Sequence, residues 1–465
     1  MKKLAILLLA AGMMCCSTTE SHAIDYKFKG QWIMSFDLGA DGGFNDAKYG
    51  YNGTSYESDN FKASQRLHLQ MEAAASEMLS GTVFFSIGDG QNGLSRSATW
   101  GKAAHGAALG SDGNSVLLKQ AYIDWIVPDT ALKLRMGIQG FTLPGILTNS
   151  VLDDDAAGIT ASYTVNDTVS VTALWTRLAN DNYTEGNDAN YLDNTDLFAL
   201  ILPLSFEGLR VTPWASYAAV GKNEHHDYYT SFGHTTTKDS QPYGDMWMLG
   251  ITGEVTALAP FHVAWELLFQ DYTDGVDSNA IRSWYGALLA EYQLNWGTPG
   301  LYAWYATGNN GGQDDGSGRM ICLSEGYNQL SPYAMNGQLY RERNGVLGAT
   351  FGGTWGVGAR IKDMSLIDGL KHSFYVNYFG GTNDEDRLTL DAAGAASSVK
   401  NNLAYTESAL EFGLTNSYKI YENLEMYSGI SYVKLFYDDD LRKGTDIHKN
   451  YADAWNTNIQ FIYSF

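Results

Sequence analysis

The chain's strongest constraint is an alternation of apolar and polar residues with period two that recurs from one end to the other. In residues 454–465, Trp455, Thr457, Ile459, Phe461, Tyr463 and Phe465 fall on one side, and Ala454, Asn456, Asn458, Gln460 and Ser464 on the other. Successive side chains of a strand point to opposite faces, so this segment reads as a strand with one aromatic face and one amide and hydroxyl face. The same pattern appears early. Tyr26, Phe28, Trp32, Met34, Phe36 and Leu38 oppose Lys27, Lys29, Gln31, Ser35 and Asp37, with only Gly30 and Ile33 interrupting. It returns where Leu67, Leu69 and Met71 oppose Arg66, His68, Gln70 and Glu72, and where Leu132, Leu134, Met136 and Ile138 oppose Lys133, Arg135 and Gln139. Further along, Val263, Trp265, Leu267 and Phe269 oppose His262, Ala264, Glu266 and Gln270, and Leu410, Phe412 and Leu414 oppose Glu411, Thr415 and Ser417.

One such run is only a half-buried strand. The connections between the runs decide the architecture, because they come in two kinds. Short ones include 76–81, 127–130, 165–168, 205–208, 257–260, 295–298 and 417–423; long polar ones include 39–59, 89–114, 179–194, 221–244, 308–343, 381–403 and 438–452. Short turns on one side and long loops on the other are the layout of a transmembrane antiparallel up-and-down β-barrel. The pattern predicts an all-β barrel of about 16–18 strands, 18 favoured, with short periplasmic turns and long extracellular loops. Beyond the first residues no apolar run approaches the length of a membrane helix, so any crossing must be made by strands. Nothing resembling a linker interrupts the pattern, and residues 24–465 read as one barrel domain.

Residues 1–23 carry Lys2 and Lys3, an apolar run from Leu4 to Met14 and a small-residue site ending at Ala23. These are the parts of a cleaved secretory signal peptide, and they place the protein in the bacterial outer membrane if the barrel reading holds. Lipidation at Cys15 or Cys16 is the weaker alternative, because Gly12, Met13 and Met14 do not form the usual preceding site. Cleavage leaves Cys322 as the sole thiol, so no intramolecular disulfide is expected. The composition suits a barrel: 50 glycines, 30 tyrosines, 12 tryptophans and only 8 prolines in 465 residues. The formal charge of −22, or −23 once Lys2, Lys3 and Glu20 are removed, excludes nucleic acid as a partner.

Four stretches bring this chain close to a known family: the start "AIDYKFKGQWIMSFDLG", the runs "LLKQAYIDW" (117–125) and "LKLRMGIQGFTLP" (132–144), and the terminal "FIYSF". They resemble Gram-negative general porins, and most closely the homotrimeric porins of sulfate-reducing bacteria. The resemblance spans the mature chain and implies a water-filled homotrimeric channel surrounded by outer-membrane lipid and lipopolysaccharide. Phe465, with Tyr463, resembles the aromatic assembly signal read by the outer-membrane insertion machinery. In porins the third loop folds into the bore, and segment 140–158 resembles that constriction loop. It is rich in Leu143, Pro144, Ile146, Leu147, Val151 and Leu152 and ends in Asp153, Asp154 and Asp155.

Lys133 and Arg135, with Lys62 and Arg66 on a nearby strand, are expected to face the lumen opposite those aspartates. Acid facing base across a narrow bore would set up a transverse field that sorts solutes. The plainer alternative is that the aspartates form a solvated loop edge and the bases merely hydrate the lumen. Three consecutive carboxylates lack the spacing of a calcium loop, and no metal or other cofactor is expected. The acidic stretches 313–318 and 438–440 read as solvated loops or as weak divalent-cation contacts with lipopolysaccharide, and His225 and His226 as exposed loop residues. No G-x-S-x-G, H-E-x-x-H or C-x-x-C motif occurs, so no enzyme is expected. The sequence favours passive diffusion of ions and small hydrophilic solutes, with a solute-specific channel bearing a lumenal binding site as the alternative and an outer-membrane barrel enzyme as a distant third.

Overall fold

The computed structural model describes residues 24–40, 60–88, 98–101, 108–109, 115–148, 151–179, 194–221, 243–309, 316–324, 328–335, 347, 351–385, 402–441 and 453–465. The signal segment 1–23, with Cys15 and Cys16, and the pair His225 and His226 lie outside them.

Eighteen long strands appear among the described residues: β1 (Asp25–Ala40), β2 (Asn60–Ser76), β3 (Leu79–Gly88), β4 (Ser115–Ile126), β5 (Leu132–Thr142), β6 (Asp153–Thr164), β7 (Ser170–Ala179), β8 (Thr195–Ile201), β9 (Leu209–Val220), β10 (Gly244–Val255), β11 (Phe261–Thr273), β12 (Ile281–Tyr292), β13 (Thr298–Ala306), β14 (Thr354–Ile367), β15 (Leu370–Gly381), β16 (Ser408–Tyr421), β17 (Leu424–Phe436) and β18 (Ala454–Ser464). A break at Pro203 separates β8 from its continuation, Leu204–Phe206, because proline has no N–H to give to the ladder. Each strand pairs antiparallel with its neighbours in sequence. β1 also pairs with β18, from Gln31 opposite Ser464 to Ala40 opposite Trp455, and the sheet closes on itself. Closure leaves no strand edge unpaired, the condition for crossing a bilayer with β-structure.

The two faces sort as the alternation predicts. On β18, Asn456, Asn458 and Gln460 are at most 3% exposed inside the barrel, whereas Ile459 and Tyr463 stand outside at 45% and 41%. The strands join at one end through the short connections 77–78, 127–131, 165–169, 207–208, 256–260, 293–297, 368–369 and 422–423. Asp368–Gly369 is a tight two-residue turn, with Gly369 at φ +79°. Outward aromatics flank both ends: Trp125, Tyr163, Tyr292, Trp296 and Tyr421 near the short turns, and Trp247, Trp284, Tyr305, Tyr378 and Tyr432 near the long loops. Amphipathic rings of this kind sit at the level of lipid headgroups.

The seam depends on a contact between Phe465 and Gly30. Their backbones exchange two hydrogen bonds, of 2.8 and 3.0 Å. The Phe465 ring stacks on Tyr463 with centroids 5.6 Å apart and lies over Gly30, where an added Cβ would stand 2.4 Å from it. Deleting Phe465 removes the last ladder pair and the stacking together. The variant barrel should unfold at a lower temperature in a heat-modifiability gel assay; an unchanged transition would show that the seam does not depend on this residue.

A lumen narrowed by two anchored loops

The inward face of β11–β16 is polar where a water-filled bore would be polar, but these side chains are already occupied by protein. Glu266 on β11, only 3% exposed, collects the backbone N–H groups of Ile146, Leu147 and Thr148 on one carboxylate oxygen, the last at 3.0 Å. Its other oxygen accepts the Thr148 hydroxyl at 2.9 Å, and that hydroxyl also meets Tyr285 of β12 at 3.0 Å. The loop between β5 and β6 is therefore folded into the barrel and held by its backbone. Leu143, Leu147, Val151 and Leu152 are at most 5% exposed.

A second loop enters beside it. The connection from β13 to β14 returns through the lumen over its described parts, 316–324 and 328–335. Four residues along β11 from Glu266, Gln270 binds both polar groups of one residue, accepting the N–H of Ile321 at 2.7 Å and donating to its carbonyl at 2.9 Å. Glu411 on β16, fully buried, accepts the N–H groups of Tyr333 and Ala334, both at 2.8 Å, and the Ser331 hydroxyl at 2.9 Å. Asn377 on β15 links Glu411, at 2.7 Å, to the Leu330 carbonyl, at 2.9 Å. Arg360 on β14 donates to the Gln329 carbonyl at 2.6 Å while its other nitrogens hold Glu291 at 2.7 and 3.0 Å. Gly358 leaves room for this network, since a Cβ there would come within 2.2 Å of Asn377 and 2.3 Å of the Tyr302 ring.

The two loops also bind each other. Leu323 donates to Val151 and Gln329 to Leu147, both at 2.8 Å, and the Gln329 side chain donates to Ile146 at 2.9 Å. Met320, Ile321, Leu330, Tyr333 and Met335, each at most 3% exposed, join the first loop's leucines in one apolar cluster with Trp214, Tyr285, Trp304 and Phe351. Burying apolar side chains at about 25 cal/mol per Å² is what holds this cluster inside a bore that would otherwise contain water. The carboxylates supply the acceptors that the buried loop backbone needs.

The expected site residues are distributed differently from one compact constriction. The segment 140–158 shortens to 143–152, because β5 runs to Thr142 and β6 starts at Asp153. The three aspartates thus open a strand and alternate across its faces. Asp154 shares the lumen parity and accepts the Ser324 hydroxyl of the second loop at 2.8 Å. Asp153 and Asp155 share the parity of outward Ile159; Asp153 accepts the Thr142 hydroxyl at 2.8 Å, and Asp155 pairs with Lys119 and Gln120. Lys133 and Arg135 do face inward. They lie at the short-turn end, roughly 25–30 Å along β5 from the loop at 3.3 Å per residue. There Asp124 takes both, Arg135 through two bonds of 2.8 Å and Lys133 at 3.5 Å. Lys62 and Arg66 share the lumen face of β2, opposite Asp37 and Ile33 of β1.

Sequence reasoning placed 308–343 among the outer polar loops and missed its inward return. The apolar residues Met320, Ile321, Leu323, Leu330, Tyr333 and Met335 were the available signal, of the same kind as in 143–152. Cys322, placed in an outer loop by that reading, is half-buried in this inward stretch. Glu266, Gln270 and Glu411 were assigned to the polar faces of their strands, but not to the work of holding loops. Among the described residues no group of three or more His, Cys, Asp or Glu side chains converges as a metal site would require.

No family model and no curated protein matches the chain. Solved structures do. OccAB3 of Acinetobacter baumannii aligns with a TM-score of 0.56 at 11% identity, covering 95% of this chain and 99% of that one. The outer membrane protein OprD of Pseudomonas aeruginosa aligns at 0.56 and 10% identity, with 96% and 95% covered. Outer membrane protein opdK of the same organism aligns at 0.54 and 10%, with 95% and 98% covered. At such identities the likeness establishes a shared fold, the closed 18-strand antiparallel barrel of Gram-negative outer-membrane proteins. It lends no support to the narrower resemblance to the porins of sulfate-reducing bacteria.

Two outcomes check the loop anchors. Replacing Glu266 by Ala orphans three N–H groups, at about 1–3 kcal/mol for each buried donor left unmatched. Amides 146–148 should then exchange with solvent at least tenfold faster while the barrel strands stay protected; unchanged exchange would mean that the carboxylate is not the anchor. Among the aspartates, only Asp154→Asn should loosen the contact with the second loop, read as faster exchange at Ser324. Equal effects from Asp153→Asn or Asp155→Asn would contradict the assigned faces.

Proposed function

We propose that this protein is an outer-membrane channel that selects its solutes, rather than an open diffusion pore. The observation that carries the reading is the filled lumen: two loops are bound to each other and to six consecutive strands, and on the opposite wall Asp37, Asn458 and Gln460 are themselves at most 3% exposed, which leaves Lys62, Arg66 and His68 of β2 as partly exposed polar groups there. A bore reduced in this way brings solutes within hydrogen-bond reach of its lining. The alternative of general diffusion, which the sequence favoured, fits this geometry less well. The likeness in fold to OccAB3, OprD and opdK supports an outer-membrane location and a channel.

In the same reading, Lys62 and Arg66 line the path at the level of the loops, and Lys133 and Arg135 line its periplasmic mouth. The signal peptide exports the chain, Tyr463 and Phe465 mark it for the insertion machinery, and the assembled form is a homotrimer within lipopolysaccharide.

Planar-bilayer recording of the purified protein tests the reading. The expected result is small unitary steps whose size saturates as salt or solute concentration rises. A large conductance that grows linearly with concentration would return the protein to general diffusion. Charge reversal at Lys62 and Arg66, to Glu, should move the reversal potential in a salt gradient toward cations; no movement would remove these residues from the lining.

A further inference from the structure

Beneath the two loops, at the short-turn end of the barrel, lies a cavity of about 390 Å³. The inward loop forms its roof with Asn328, Gln329 and Pro332, and the wall supplies Gln31, Gln460 and Tyr375. The turn residues Glu422 and Asn423 lie at its open side. Its size falls within the range of small-molecule sites, roughly 300–1,000 Å³.

The charges around this cavity cancel. Arg360, Lys362 and Lys419 contribute the cations. Arg360 and Lys362 are both bound to Glu291, at 2.7 and 3.1 Å, and the remaining guanidinium nitrogen of Arg360 is committed to the Gln329 carbonyl. Lys419 stands opposite Glu425 in the β16–β17 register, and Glu422 adds a further carboxylate at the rim. Three positive and three negative formal charges leave no surplus with which to attract an ion. The remaining lining is of another kind. The Asn328 amide is taken up by Met335, Leu330 and Ser331 and the Gln329 Nε2 by Ile146, so the side-chain amides of Gln31 and Asn423 supply the donors and acceptors, which suits hydroxyl groups that also play both roles. Tyr375 and Tyr427 add ring faces against which the C–H face of a sugar ring can pack.

We infer that this cavity is a binding site for a neutral polyhydroxylated solute of monosaccharide to disaccharide size. The inference rests on the channel reading above and names the solute class for it. The site lies on the periplasmic side of the narrowing, so a solute reaches it from that side without passing the loops.

The test is ion-current recording through the full-length protein, with glucose, maltose, gluconate or arginine added to one side at a time. Glucose or maltose should interrupt the current at millimolar concentrations, and at lower concentration from the periplasmic side. Tyr375→Leu and Gln31→Leu should each raise the half-blocking concentration about tenfold, the loss expected for one ring or amide contact. A heat-modifiability gel confirms that each variant is a folded barrel, and either variant alone suffices. Conducting channels that no sugar blocks, or that gluconate or arginine blocks at lower concentration than glucose, would overturn the inference. Absence of any conductance would overturn the channel reading instead. Calorimetry with glucose and maltose on the detergent-solubilised barrel would then decide the site by itself, binding supporting it and no binding refuting it.

Discussion

The internal structure of this barrel depends on buried carboxylates that accept hydrogen bonds from loop backbone. A loop entering a bore must satisfy its peptide groups, and it has no strand partner to do so. Glu266 gathers three consecutive N–H groups and Glu411 gathers two, each adding a hydroxyl. A buried donor left without such an acceptor costs about 1–3 kcal/mol. The converging geometry of these bonds also fixes where each loop lies. Removing either carboxylate leaves several donors buried and unmatched, so the two residues decide whether the loops remain inside.

The apolar cluster and the anchors reinforce each other. Leu147 and Val151 of the first loop and Ile321 and Leu330 of the second are buried together only because Glu266, Gln270 and Glu411 hold the intervening peptides in place. In turn the cluster excludes water that would compete for those carboxylates, and in a low-dielectric interior each remaining bond counts for more. Direct bonds between the loops, from Gln329 to Leu147 and from Leu323 to Val151, make them one unit. The unit occupies one side of the lumen. Beneath it lies a charge-balanced cavity.

Much of the fold was legible because a strand's period of two shows in sequence wherever one face meets lipid and the other does not. The outward rings of β18 and the inward amides of Asn456, Asn458 and Gln460 could be assigned by counting alone. Loop length separated the two ends of the barrel, although the tight turn at Asp368–Gly369 went unnoticed between two long runs. The candidate site was only partly legible. Apolar residues marked 140–158 as a loop that leaves solvent, and the same signal in 320–335 was outweighed by the polar residues around it. The aspartates 153–155 read as one acidic patch, but a strand begins at Asp153 and sends neighbours to opposite faces. The anchoring roles of Glu266 and Glu411 could not be read at all, because their loop partners lie more than 70 residues away and are mostly backbone groups common to every residue.

Hydrogen exchange of the folded, purified barrel, resolved to the two loops, reports whether the loops are anchored in the lumen. Amides hydrogen-bonded inside a stable barrel open only through rare fluctuations, whereas solvated loop amides exchange freely. Anchored in this way, the amides of Ile146, Leu147, Thr148, Ile321, Tyr333 and Ala334 are expected to be protected to a degree comparable with the strands that hold them. Exchange of these six at the rate of a solvated loop would show that the loops do not lie anchored in the lumen.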